Sequence, residues 1–272
     1  MTSSNPSETS KWYPLAISHH SAAIRLARPH IAASNPTHSE AIFNFSAFNS
    51  LFSFAEPVLR PDNDGGSETP TTATTTTTPR DYLSDLLDSF KMARGIRAII
   101  AKDPSVLIEK GAIDHPGWSY EDHVARIEPT LQTRYPQLSK LSQLASEHLQ
   151  DGEGQLTATL KALHNLFVNM AVLEESPTDH SSASLIQRWA ISIEGPFLSL
   201  CDGRHPVALV VLAHYAVLVQ MRTNIWFFRR WPRLILGEIG VELRGSPWER
   251  WIEEPEREVT RLEEAGSEGL SS

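Results

Sequence analysis

Few residues in this 272-residue chain stand at spacings that chemistry could use. Cys201 is followed by Asp202, with His205 a short step beyond. A cysteine nucleophile needs a base beside it. A base so close in sequence usually points elsewhere, so the thiol reads as buried and inert. No Gly-x-Ser-x-Gly elbow is present for a serine nucleophile. Eleven histidines invite a metal reading. His19 and His20 are adjacent, so on a helix they diverge by about 100° and share one ion poorly. His115 and His123, with Asp114 and Asp122, match no ligand spacing. Gly65-Gly66 falls in a polar tract, and Gly237 and Gly240 follow no strand, so neither makes a phosphate loop. The reading is a protein that is not an enzyme and has no metal or cofactor.

Two further groups carry binding chemistry. Arg229, Arg230 and Arg233 interleave with Trp226, Phe227, Phe228 and Trp231. Such a mixture can stack nucleic-acid bases, but it more often makes cation–π and packing contacts. The chain's formal charge of −9 argues against direct binding of nucleic acid by the bulk surface. His214 and Tyr215 interrupt an apolar run and need partners if buried. They read either as satisfied core groups or as polar points on an apolar pocket.

The elements that must position these residues are helical. The apolar residues recur at three- and four-residue spacing, and no convincing alternation predicts a strand. The fold class expected is all-α. Helices are expected over 14–28, over 39–57 with phenylalanines on most sides, over 81–100, over 131–149 with a weak break at Pro136, and over 155–173. Further helix is expected over 184–192, then an apolar turn after Gly195-Pro196. A fully buried helix follows from Pro206 to Met221, then an aromatic lid and a helix loosened by Gly237 and Gly240. Residues 1–10 are expected to be disordered. Residues 11–255 are expected to form one helical domain with a low-complexity threonine-rich insert at 61–80, and 256–272 an acidic tail. The run from Pro206 to Met221 falls short of the ~20 residues that span a bilayer. One cysteine excludes an internal disulfide and fits a reducing compartment.

The segment RHPVALVVLAHYAVLV, the turn WFFRRWPRLI and the closing SPWERWIEEP together resemble the C-terminal end of the fungal-specific transcription factor regulatory domain. The branch is that of Zn2Cys6 regulators similar to sterol uptake control proteins. The positions that carry the resemblance are Arg204, His205, Pro206, Ala208, Leu209, Ala213, His214, Tyr215, Trp231, Trp248 and Trp251. The segments 19–57 and 81–100 resemble earlier helices of that domain, so the likeness covers 11–255 outside the threonine tract.

The resemblance implies a nuclear transcriptional regulator, with a cytoplasmic setting as the alternative. Such a protein would control a fungal metabolic gene set, such as one for secondary metabolism. The six-cysteine zinc cluster that reads DNA in the family is not in this sequence. Action would therefore run through a partner, either another transcription regulator or a second copy of the chain, with no direct nucleic-acid contact. The chain also resembles a domain joined part-way, as a stand-alone protein or a fragment of a longer factor; uncovered phenylalanines would then promote association. The sterol branch implies a second reading, the sensing of a sterol or other apolar small molecule. Its pocket would draw on Phe48, Phe52, Val210, His214, Tyr215 and Trp226.

Overall fold

The segment PVALVVLAHYAVLVQ is apolar on every side, and a helix of that kind must be covered on every side. The computed structural model of the chain, which describes residues 6–33, 38–59, 80–100, 120–175 and 182–268, does this: the segment is one helix in which every residue from Val207 to Gln220 is buried. All regular elements among the described residues are helical, in a single all-α domain. In chain order they are α1 (Pro6–Ala33), α2 (Ser39–Leu59), α3 (Tyr82–Ile100), α4 (Tyr120–Ile127), α5 (Leu131–Arg134), α6 (Gln137–His148), α7 (Gln155–Glu175), α8 (Ser182–Ser192), α9 (Gly195–Asp202), α10 (Pro206–Gln220), α11 (Trp231–Leu243) and α12 (Glu253–Glu268). Short 3-10 turns lie between several of them.

Helix α10 is the axle. Helices α6, α7, α9, α11 and α12 pack around it. Tyr215 of α10 stacks on Trp189 of α8 at 4.5 Å and meets Phe90 of α3 edge-on at 5.2 Å. Phe54 of α2 joins Phe90 to Phe228 and Trp231 through tilted and edge-on rings. This aromatic spine links α2, α3, α8, α10 and α11, and each such pair adds about 0.5–1.5 kcal/mol beyond the area it buries. The indole N–H groups inside it are paired. Trp189 donates to the Ala162 carbonyl at 2.9 Å and Trp231 to the Phe54 carbonyl at 2.8 Å.

Arg222, just past α10, is also buried. It donates to the Met221 carbonyl at 2.7 Å and the Leu173 carbonyl at 3.3 Å, so one cation serves the C-terminal ends of α10 and α7. Helix C-termini carry partial negative charge, which suits a cation. Helix α7 is long and apolar enough to cross a membrane, but 67% of that apolar window is buried in the core.

Several local expectations shift. Helix α1 starts at Pro6, so it includes part of the N-terminal decapeptide, and it continues past Pro29. Helix α2 runs through Pro57 to Leu59. The break near Pro136 is complete and separates α5 from α6. The turn after Gly195-Pro196 is a helix of its own, α9, with Pro196 in the first turn, where no amide donor is needed. Helix α4 has no counterpart in the sequence reading. Helix α2 is less central than its phenylalanines suggest: Phe54 is buried, but Phe48 is 72% exposed. It packs on α1 and α3, which leaves one side open. The glutamate-rich stretch expected as a solvated, fraying helix is helix α12, but it is not solvated all round: its Pro255 and Val259 are buried one turn apart. Residues 61–79 of the threonine-rich insert, with Gly65 and Gly66, and the pair Asp114 and His115 lie outside the described residues.

Candidate functional site

The Arg204-His205-Pro206 signature is a joint between helices. Helix α9 ends with the Arg204 amide donating to the Cys201 carbonyl at 3.0 Å and the His205 amide to the Leu200 carbonyl at 2.9 Å. This is the Schellman pattern, which places its first residue past the cap in the left-handed region. That residue is Arg204, with φ 52°, where glycine is usual. Its guanidinium Nη2 donates to both Asp81 carboxylate oxygens at 2.6 Å and to Ser84 Oγ at 3.0 Å. His205 then caps α10, its Nδ1 accepting from the Val207 amide at 3.3 Å. Burial, reinforced by His148, holds the His205 pKa below its ordinary value. Pro206 fills the first position of α10, where a missing N–H does no harm.

The same joint seats the start of α3. Asp81 accepts from the Ser84 amide at 2.9 Å, and Glu238 of α11 accepts from the Tyr82 and Leu83 amides at 2.6 and 2.8 Å. Three amides that the helix itself cannot satisfy are thus taken by two carboxylates. Burial pushes the Asp81 carboxyl upward, but hydrogen bonds from Ser84 and the Arg204 charge outweigh it and hold it at about 2. Burial raises Glu238, against the pull of the two amides. Trp231 is buried, Trp248 leans on His148 at 4.7 Å, and Trp251 is half-buried under Arg250 at 5.8 Å. The signature residues therefore join and close helices.

The six residues of the expected apolar pocket fall in different settings. Val210, His214 and Tyr215 lie in the core on α10. Phe52 is half-buried and stacks on His20 of α1 at 4.0 Å. Phe48 and Trp226 are exposed. His214 packs beside Phe167 at 5.7 Å, and burial brings its pKa down to about 4. Tyr215 Oη is buried without a hydrogen-bond partner, and burial raises its pKa. Cys201 is fully buried, and burial raises its thiol pKa, which keeps the sulfur protonated. Among the described residues no three His, Cys, Asp or Glu side chains converge on a metal position. In the arginine–aromatic segment Phe228 and Trp231 face the core, and Arg233 pairs with Glu263. The segment therefore presents no continuous stacking surface.

One cavity has a shape that the sequence reading missed. Helices α11 and α12 both lean on α10 and leave between them an open groove of about 680 Å³. Its floor is apolar, from Leu236, Ile252 and Val259, and its rims carry charges of both signs, Glu249, Glu253 and Glu256 with Arg233 and Arg244. Gly237 and Gly240 line the α11 wall, and that helix is unbroken across both glycines. A Cβ added at Gly237 would meet nothing within 4 Å. The available signal was two glycines three residues apart, which in a helix share a face; their usual reading is a loosened helix. A second surface cavity of about 470 Å³ lies between α4 and α7, beside His164, whose Nε2 is 3.3 Å from Glu128. None of the six expected pocket residues lines either cavity. No family model, no curated protein and no solved structure matches this chain.

Proposed function

We propose that this chain is an accessory transcriptional regulator that acts by docking a protein helix, with DNA contact left to its partner. It works by binding rather than by catalysis. The observation that carries the reading is the α11–α12 groove: open along its length, apolar in its floor, charged at its rims and walled by glycine. Grooves of this kind receive the apolar face of an amphipathic helix. The side chains with catalytic potential fit this reading, since Cys201, His214 and Tyr215 are buried in the core. The regulatory context rests on the resemblance carried by Arg204, His205, Pro206, Trp231, Trp248 and Trp251. It implies a nuclear setting and a metabolic, secondary-metabolite gene set as the target.

Gly237→Leu provides the test, because it puts an apolar side chain into the groove at a position where an added Cβ meets nothing within 4 Å. Transcripts would be compared between cells lacking the protein and cells carrying the variant. The expected outcome is one shared set of changed transcripts, with the variant protein present and folded. Unchanged transcripts in the deletion would remove the regulatory reading. A changed deletion with a silent variant would move the site away from the groove.

A further inference from the structure

Helix α10 is capped by a side chain that can do so in only one protonation state. A backbone amide donates and never accepts, so the His205 Nδ1 that takes the Val207 amide at 3.3 Å presents a lone pair. The ring is then neutral and carries its proton on Nε2. Ser, Thr, Asp and Asn are the usual caps, and their oxygens accept at neutral and mildly acidic pH alike. Asp81, which caps α3 across the same joint, is of that kind: its carboxyl is held at about 2. The helix at the centre of the core is instead fastened by a group that titrates close to neutrality.

A second proton on the ring acts in three ways, all of one sign. Nδ1 becomes a donor pointed at a donor, and Val207, 1% exposed, leaves no room for water to take the amide instead. A cation then stands at the N-terminus of α10, where the helix already carries partial positive charge. His148, which ends α6 and packs against Trp248 at 4.7 Å, bears on the same ring, so protons on both imidazoles repel. The other charges around the joint are engaged elsewhere. Arg204 holds Asp81 and Ser84, Asp202 pairs with Lys91 at 3.1 Å, and Glu238 takes two amides of α3. Among the described residues no carboxylate pairs with the His205 ring to offset the added charge.

We propose that the His205 cap is an acid-released latch, which holds the α9–α10 joint and the first turn of α10 closed at neutral pH and frees them in mildly acidic solution while the rest of the core stays packed. Burial and His148 both lower the ring's pKa, so the cap is complete above the free value of about 6.5 and is lost as pH falls from there. The order of events follows from access. His205 is half-buried and reached by solvent, whereas His214, further along α10, is enclosed and held at about 4. The Asp81–Arg204 clamp outlasts both, since its carboxylate keeps its charge to about 2.

The test is a nuclear magnetic resonance titration of the full chain from neutral pH to about 5, the range in which histidine changes charge. At neutral pH the His205 ring is expected to carry its proton on Nε2 alone. As pH falls, the ring and the Val207 amide are expected to titrate with one midpoint. Protection of the Val207 amide, corrected for the intrinsic exchange rate, is expected to fall about tenfold, as when a cap is lost. The amides from Val211 to Val219 are expected to keep theirs. His205→Asn supplies an acceptor oxygen that does not titrate, and it is expected to abolish the pH response at Val207. His148→Gln is expected to raise the His205 midpoint. A ring protonated on Nδ1 at neutral pH, a Val207 amide indifferent to the ring's titration, or an asparagine variant with the wild-type pH response would each overturn the proposal. Should the asparagine variant fail to fold, the wild-type tautomer and the shared midpoint decide it.

Discussion

Helices α2 and α10 are both apolar around most of their circumference, yet they end in opposite places. Helices α3, α6, α7, α8, α9, α11 and α12 all touch α10, and every residue from Val207 to Gln220 is buried. Helix α2 lies between α1 and α3, and its Phe48 stands in solvent. The difference teaches that an apolar sequence states a demand for cover, while the number of neighbours that arrive decides whether the demand is met. At α10 it is met inside the chain. At the α1–α2 layer and along the α11–α12 groove it is met only in part.

The contrast breaks most sharply at the aromatic spine. Trp189→Ala removes the indole that stacks on Tyr215 and bonds the Ala162 carbonyl. It should cost about 3–5 kcal/mol of stability in denaturant unfolding, the range for emptying a large aromatic site. Phe48→Ser on α2 should cost within about 0.5 kcal/mol, as exposed substitutions do, and should raise solubility. Equal losses at both sites would erase the distinction between covered and uncovered helices.

The second test uses pH. Unfolded histidine titrates near 6.5, and burial lowers His214 to about 4. The unfolded chain therefore binds a proton that the folded chain refuses over that interval. Stability from this group is complete above pH 6.5 and falls as pH drops toward 4, by about 3 kcal/mol in total. His205, also lowered, acts with the same sign. His214→Leu should flatten most of the slope in a series of melts between pH 7 and 4.5. An unchanged slope would mean that α10 is less enclosed than its packing indicates.

The smallest effect lies at the joint. Arg204 spends its left-handed φ on a position that glycine fills more readily. Arg204→Ala loses the Asp81 clamp and keeps the strained backbone, whereas Arg204→Gly loses the clamp and releases the strain. The alanine variant should be less stable than the glycine variant by about 1 kcal/mol. Matching melting temperatures for the two would show that the left-handed conformation is not held in solution.

Much of the fold was legible because it rests on local pattern. The stripes of α3 and α7 and the all-round apolarity of α10 announce helices and their burial. Helix α4 was not legible, since it spans only Tyr120–Ile127 and buries Ile127 alone. The cap that Glu238 places on Tyr82 joins residues far apart in the chain, and no spacing rule reaches across such a gap. The signature positions could be picked out, but their work could not. Arg204 holds two carboxylate oxygens of a distant helix, and His205 caps the helix that follows. The groove depends on two helices leaning apart on a third, a property of the assembled fold that the glycines at 237 and 240 only hint at.

Amide hydrogen exchange of the full chain tests the central claim most directly. Exchange within α10 is expected to be the slowest in the molecule, because every residue from Val207 to Gln220 is buried. Exchange along α2 around Phe48, and along α1 between Leu15 and Leu26, is expected to be faster, because those side chains stand in solvent. If α10 exchanges as fast as α2, cover inside the chain does not set the order of stability and the account is contradicted.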